Sequence, residues 1–205
     1  MVLAYKLTYF AIAALAEPIR FLLSYGGIEF EDNRINKESW PALKPNTPFG
    51  QLPILEYNGK VAYQSTAICR YVAKQVNLVG KDDWEDLEID ATVDTITDLR
   101  LKLAQYSYET DEKAKKEKEK SILNDALPFY LEKLDAQAEK NNGYLVGGRL
   151  TWVDLLFTAS LDFINFMAKK DIIANSPNLQ KVKQNVVKIP NIKAWLEKRP
   201  KDTLQ

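Results

Sequence analysis

Every segment of this chain that reads as a β-strand falls within its first 63 residues, and nothing after residue 83 alternates convincingly. A chain divided in this way builds a small mixed layer first and a helical body second. Residues 4–10 are short and rich in strand formers. Residues 17–25 predict a helix: Pro18 suits a first turn, and Gly26-Gly27 can end it. Residues 29–35 predict a second strand, completing about the shortest unit that supports a parallel crossover. Residues 40–50 hold three prolines and a glycine and read as irregular. A strand begins at 52–56, Asn58-Gly59 is a two-residue hairpin turn, and the returning strand is 61–63. Gln64-Ser65 opens a helix that runs to about residue 76.

The order β-α-β then β-β-α is that of a thioredoxin-like domain, expected over residues 1–78. Residues 79–83, with Gly80 and two acidic side chains, read as a linker. Residues 84–205 are expected to form an all-helical domain. Its first helix, 84–107, carries Ile89, Val93, Ile96, Arg100 and Leu103 on one stripe. The Lys- and Glu-rich run 113–120 reads as a solvated helix face, and Asn142-Gly143 and Gly147-Gly148 break the pattern. Thr151-Trp152-Val153-Asp154 is a helix start in which Thr151 and Asp154 cap each other, with Leu150 and Leu155 placed as a hydrophobic staple. Asp154 is therefore read as a cap, not as a catalytic acid. The remaining helices are expected at 153–168, 178–187 and 191–198.

Composition removes several kinds of chemistry. Histidine is absent and Cys69 is the single cysteine, so Ser-His and Cys-His nucleophile pairs and the usual transition-metal ligand sets are excluded. No intramolecular disulfide is possible, which fits a reducing compartment. Lys plus Arg and Asp plus Glu are both 28, so no net charge points to nucleic acid or to an anionic membrane. The first residues lack the organisation of a signal peptide, and no apolar run is long enough to span a bilayer. A cytoplasmic location is expected.

Particular residues narrow the reading further. They are Tyr5-Lys6-Leu7-Thr8-Tyr9-Phe10 followed by Ala16-Glu17-Pro18-Ile19-Arg20, then Trp40-Pro41, Lys44-Pro45, Pro48-Phe49-Gly50-Gln51-Leu52-Pro53-Ile54-Leu55 and Gln64-Ser65. Val93-Asp94-Thr95-Ile96, the Thr151 to Asp154 motif and the closing Ile192 to Pro200 run add to them. Together they resemble the sigma class of cytosolic glutathione transferases, which includes insect enzymes, the haematopoietic prostaglandin D synthases and the lens S-crystallins. The segments from Lys102 to Tyr108 and from Asp162 to Met167 resemble the insect members most.

The resemblance implies roles. Tyr9 corresponds to the tyrosine whose hydroxyl holds the glutathione sulfur as a thiolate; position alone would equally suit a half-buried strand tyrosine. Thr8 faces away by strand alternation, and Tyr5 is a neighbour easily mistaken for it. Leu52-Pro53 resembles a cis peptide beside which the Leu52 backbone pairs with the cysteinyl part of glutathione. Gln64 and Ser65 open a helix toward the γ-glutamyl carboxylate, although Ser65 also suits plain capping. Trp40 and Lys44 correspond to holders of the glycyl end, and Gln51 to a further contact. Asp98 corresponds to an acid lent across a homodimer to the γ-glutamyl amine. Phe10, Leu15, Arg100, Ala104, Tyr106, Tyr108 and Phe163 correspond to an electrophile pocket between the domains, or to interdomain core. Lipid-peroxidation enals and xenobiotics are the implied electrophiles, and detoxification the implied role. Cys69, among apolar neighbours, reads as a core residue.

Two departures bear on the alternatives. Leu15 stands where the prostaglandin synthases carry arginine, and Ala13 where many insect enzymes carry lysine, so the pocket mouth is more apolar. The synthases' metal-binding aspartate trio corresponds to Asp94, Thr97 and Asp98, and the lost carboxylate argues against a metal. The expected cofactor set is therefore glutathione as co-substrate and no metal. Conjugation is the main expectation. Glutathione-dependent prostaglandin isomerisation and an S-crystallin-like structural or carrier role are its alternatives.

Overall fold

The computed structural model describes residues 5–200. Ala4 of the first expected strand, and the outer ends of the two expected domains, lie outside the described residues. Strand β1 (Tyr5–Phe10) leads through a turn into helix α1 (Glu17–Tyr25), with Pro18 in its first turn. Strand β2 (Phe30–Ile35) then returns parallel to β1. Residues 40–50 are not irregular as expected. Trp40–Leu43 form a short helix α2, and Lys44–Asn46 and Pro48–Gly50 form single 3-10 turns. The prolines at 41, 45 and 48 fall at the beginnings of these turns, where a missing N–H costs nothing.

β3 (Ile54–Tyr57) and β4 (Lys60–Tyr63) form the expected hairpin. Asn58 and Gly59 both take positive φ, 48° and 74°, as a type I′ turn requires. The sheet order is β2-β1-β3-β4, with only the β1–β2 pair parallel. Helix α3 (Ser65–Gln75) packs against α1, and Ile19, Leu22, Ile68 and Val72 are buried there. Tyr5, Leu7 and Tyr9 share one face of β1 and are all buried. Thr8 turns the other way and its hydroxyl accepts from Asn33 Nδ2 at 3.0 Å.

The remaining elements are helical: α4 (Asp83–Ser107), α5 (Glu112–Lys118), α6 (Leu127–Lys140), α7 (Trp152–Ala168), α8 (Pro177–Val187) and α9 (Pro190–Lys198). Asp82 starts α4 by accepting from the Glu85 amide at 2.9 Å. The buried stripe of α4 contains Ile89, Val93, Ile96 and Leu103 as expected, but Leu99 replaces Arg100, which is half-buried. The charged run 113–120 does not stay one helix: a π-helical stretch, Glu119–Ala126, joins α5 to α6. Helix α7 is buried from Trp152 through Leu161 and packs against α4 and α8. A helix apolar on all sides is the core of its unit. Its capping box forms, with Asp154 Oδ2 accepting from the Thr151 amide at 2.8 Å and Oδ1 from the Leu145 amide at 2.7 Å.

Among the described residues, those through Leu78 cluster with those from Ile189 onward, and Val79–Lys188 form the second unit. This differs from the expected helical domain of 84–205, because α9 packs on α1. The cause is Glu17, fully buried on α1, whose Oε1 accepts from Trp195 Nε1 at 2.8 Å and Arg199 Nη1 at 2.9 Å. The expected linker is bound into the second unit. Gly80 N donates to Asp86 Oδ1 at 2.7 Å, Lys81 N to Glu85 Oε2 at 2.6 Å, and Arg149 Nη2 to the Val79 carbonyl at 3.0 Å. Gly147 (φ +68°) admits Glu85 so closely that a Cβ there would lie 1.8 Å from Oε1.

Candidate active site

The strand register gathers the N-terminal candidates at one end of the sheet. β1 pairs with β3 only as far as Thr8 opposite Ile54, so Tyr9 and Phe10 run on past the start of β3. Ile54 in turn pairs with Tyr63, the last residue of β4. Leu52-Pro53 leads into β3 and Gln64 follows β4, so both stand at the end of the sheet where Tyr9 and Phe10 lie. β2 runs parallel to β1, so its Ile35 end delivers the chain to Trp40 and Lys44 at the same end.

Ring contacts agree with the register. Tyr9 and Phe10 meet edge-on with centroids 5.6 Å apart, and Phe10 and Trp40 likewise at 5.7 Å. Tyr9 is only 6% exposed, and it stands in register with Arg34 of β2. Leu15 lies half-buried in a single 3-10 turn, Ala14–Ala16. The Leu52-Pro53 peptide is cis. Gln51, just before it, is extended and exposed. The stem of Lys44 crosses Gly50: a Cβ at Gly50 would lie 3.2 Å from Lys44 Cε, and the glycine has φ +60°.

Gln64 occupies the N-cap position of α3 with φ 68° and ψ 105°, and no side chain caps the helix. Ser65 is the first helical residue, not the cap. The N-terminal amides of α3 therefore keep no side-chain oxygen, which leaves this end suited to an anion. The left-handed Gln64 had no sequence signal, since the residue is neither glycine nor asparagine. Cys69 is buried and burial pushes its thiol well above the ordinary range, which suits a core residue. Tyr5 stacks on Tyr57 at 4.2 Å and its hydroxyl lies 3.5 Å from that of Tyr71.

The second unit presents its candidates on α4 and α7. Arg100, Ala104 and Tyr108 are spaced four apart and lie on one face of α4. Tyr108, at its C-cap, is 66% exposed. Tyr106 points elsewhere: it is buried, with Lys115 Nζ 5.9 Å above its ring, and that ammonium donates to the Glu109 carbonyl at 3.1 Å. Phe163, on α7, is buried. Asp94 and Asp98 are exposed on α4. Among the described residues no group of three His, Cys, Asp or Glu side chains is placed to hold a metal ion.

Sequence reasoning assigned nothing to Glu17 and Arg20, both fully buried. Their signal was available: opposite charges three apart, within an otherwise apolar helix.

The family model described as "Glutathione S-transferase, N-terminal domain" matches residues 5–74, and "Glutathione S-transferase, C-terminal domain" matches 97–199. A glutathione S-transferase of Anopheles gambiae is 51% identical over 196 residues, covering 96% of this chain and 97% of that protein. Glutathione S-transferase S1 of Drosophila melanogaster is 47% identical over 197 residues, covering 96% and 79%. The solved structure of prostaglandin synthase D of Nilaparvata lugens superposes with a TM-score of 0.92 at 46% identity, covering 97% of this chain and 99% of that one.

Proposed function

Because this chain belongs to the glutathione S-transferase family, as a sigma-like member, we propose that Tyr9 holds the glutathione sulfur as a thiolate for attack on apolar electrophiles. The observation that supports this most is the convergence of Tyr9, Leu52-Pro53 and the uncapped start of α3 at one end of the sheet. An unperturbed thiol has a pKa of about 8.5, and each unit of lowering takes about 1.4 kcal/mol. One charge-assisted hydrogen bond, about 1.5–3 kcal/mol, supplies one to two units. The thiol proton leaves to solvent. The thiolate then forms a carbon–sulfur bond with the β-carbon of an enal while the π pair moves toward the carbonyl, and water reprotonates the α-carbon. With a haloarene, the halide departs instead.

In this reading glutathione is the co-substrate and no metal takes part. Residues up to 78 bind the tripeptide. Its γ-glutamyl carboxylate meets Ser65 and Gln64 at the α3 end, its cysteinyl backbone pairs with Leu52, and its glycyl end reaches Trp40 and Lys44, with Gln51 alongside. The electrophile is assigned to Phe10, Leu15, Arg100, Ala104, Tyr108 and Phe163; Tyr106, expected among them, is set aside because it is buried on another face of α4 beneath Lys115. Lipid-peroxidation enals and xenobiotics are its proposed classes, and detoxification in the cytoplasm its setting. Among the described residues, no helix is long and apolar enough to cross a membrane.

The functional form is proposed to be a homodimer in which Asp98 of one copy meets the γ-glutamyl amine held by the other. The exposure of Asp98, and of Phe49 at 78% beside Tyr63 with ring centroids 5.1 Å apart, supports a second copy as partner. Asp98→Ala is expected to raise KM for glutathione about tenfold, near the lower end of a charged hydrogen bond's worth, with kcat little changed. An unchanged KM removes Asp98 from the site. Gly50→Ala is expected to raise the same KM several-fold by pushing the Lys44 stem aside and straining a backbone at φ +60°, and to have a smaller effect, that of the strain alone, in a Lys44→Ala background; an equal effect in both backgrounds removes Lys44 from the account, and steady-state kinetics of the three variants decide it.

The reading is tested by turnover of a chlorodinitrobenzene and an alkenal with glutathione. Conjugation of both is expected. Retention on immobilised glutathione with neither substrate turned over would instead indicate a carrier. A second reading, isomerisation of a prostaglandin endoperoxide with glutathione as cofactor, draws on the name of the Nilaparvata lugens structure. Leu15 and Thr97 count against it, and product analysis with the endoperoxide separates the two.

A further inference from the structure

Between β1 and α1 the chain turns through residues 11–16 in a conformation it does not adopt for free. The Ile12 amide closes on the Phe10 carbonyl at 2.8 Å, and Ala14 takes φ +35° without being a glycine. Such a conformation persists where the surroundings over-determine it, and often near a functional site.

Arg20 supplies that determination. Its side chain is wholly buried, and Nη1 donates to the Ile12 carbonyl at 3.0 Å and to Glu17 Oε2 at 3.1 Å. Nε donates to Asp32 Oδ1 on β2 at 2.9 Å. The two carboxylates are held from behind. Glu17 Oε1 takes Trp195 and Arg199 of the C-terminal segment, and Asp32 Oδ2 takes Arg34 Nε at 2.8 Å. The guanidinium is thus located by α1, β2 and α9 and presented to one loop carbonyl.

As a device for stability alone this arrangement is a poor one. A buried ion pair is often matched or bettered by apolar residues of similar volume, and Nη2 of Arg20 is buried with no hydrogen-bond partner among the described residues. What a guanidinium does, and an apolar side chain cannot, is fix the Ile12 carbonyl, two residues beyond the strand end that carries Tyr9.

We propose that Arg20 is a positioning residue for Tyr9: by pinning Ile12 it sets where the phenol hydroxyl sits relative to the glutathione sulfur. The proposal rests on the reading of Tyr9 given above. Small misplacements of a reacting geometry are expensive, about a hundredfold for 1 Å. Arg20 touches neither sulfur nor electrophile.

The test titrates the thiol of enzyme-bound glutathione by its ultraviolet thiolate absorbance, in the wild type, Arg20→Lys, Tyr9→Phe and the double variant. Lysine keeps a charge between Glu17 and Asp32 but cannot reach all three acceptors. Arg20→Lys is expected to lower the thiolate fraction at neutral pH three- to tenfold, with glutathione Kd within twofold of wild type. In the Tyr9→Phe background it is expected to add nothing. A lowered melting temperature with a wild-type titration overturns the proposal, as does an equal change in the Tyr9→Phe background. Should Tyr9→Phe itself leave the titration unchanged, the reading of Tyr9 fails, which is a separate outcome. If Arg20→Lys does not fold, Asp32→Asn loosens the Nε hold and leaves the other partners; it is expected to lower the thiolate fraction by a smaller factor, and no change overturns the proposal.

Discussion

Tyr9→Phe is expected to lose about 10- to 150-fold in kcat/KM for conjugation at neutral pH, and still to be retained on immobilised glutathione. The range follows from removing one charge-assisted hydrogen bond, about 1.5–3 kcal/mol. Retention follows because the groups proposed to hold the tripeptide ends, Trp40, Lys44 and Ser65, are untouched. Phenylalanine also preserves the edge-on contact with Phe10 and the burial of the ring. The loss should shrink as pH rises toward the free thiol's own ionisation, since more of the bound thiol then ionises unaided. A Tyr9→Phe enzyme with full activity at pH 7 would remove Tyr9 from catalysis.

The largest expected effect on stability belongs to Asp154. Its carboxylate accepts from two buried amides, those of Leu145 and Thr151, and from the Thr151 hydroxyl at 3.2 Å. Asp154→Ala leaves both amides without that acceptor at the start of α7, the most deeply buried helix of its unit. At about 1–3 kcal/mol per unsatisfied group, the loss from the two amides is about 2–6 kcal/mol, or roughly 5–20 °C in Tm for a chain of this size. Thermal or urea unfolding checks it, and an unchanged midpoint would mean that the box contributes nothing.

The same residue has a pH signature. Burial is the largest influence on Asp154 and raises its pKa from 3.8 to about 6, against the lowering effect of the Thr151 and Leu145 amides. Because the folded-state value lies above the unfolded one, the folded protein binds the extra proton between them. This group's contribution is therefore greatest below about pH 4 and is lost as pH rises through about 6. Asp154→Asn should remove that part of the stability–pH profile while keeping one acceptor.

The fold was legible in the sequence wherever local chemistry decides it. Asn58-Gly59 dictates a hairpin because both residues tolerate positive φ, and Pro18 and the Thr151 to Asp154 motif mark helix starts through their backbone hydrogen bonds. The failures have more than one cause: residues 40–50 close on local bonds such as Thr47 N to the Lys44 carbonyl at 3.2 Å, whereas α9 is decided by distant contacts. Proline-rich residues 40–50 wind into short turns, and Arg100 leaves the buried stripe of α4 to Leu99. α9 joins the first unit because Glu17, far away in sequence, supplies a buried acceptor for Trp195 and Arg199. Among candidate site residues, Tyr9, Phe10 and Trp40 come together through ring contacts that no spacing rule foretells. The backbone of Gln64 and the Ile12 and Asp32 partners of Arg20 were equally invisible, because each depends on how the end of one strand meets the start of the next element.

The central claim is that a phenol hydroxyl lowers the pKa of a bound thiol, and titrating that thiol on the intact wild-type enzyme tests it most directly. Glutathione bound to the wild type should ionise one to two units below the free value of about 8.5, and glutathione bound to Tyr9→Phe should ionise near it. A bound thiol that titrates at its free value in the wild type, or equally low in both proteins, would contradict the account.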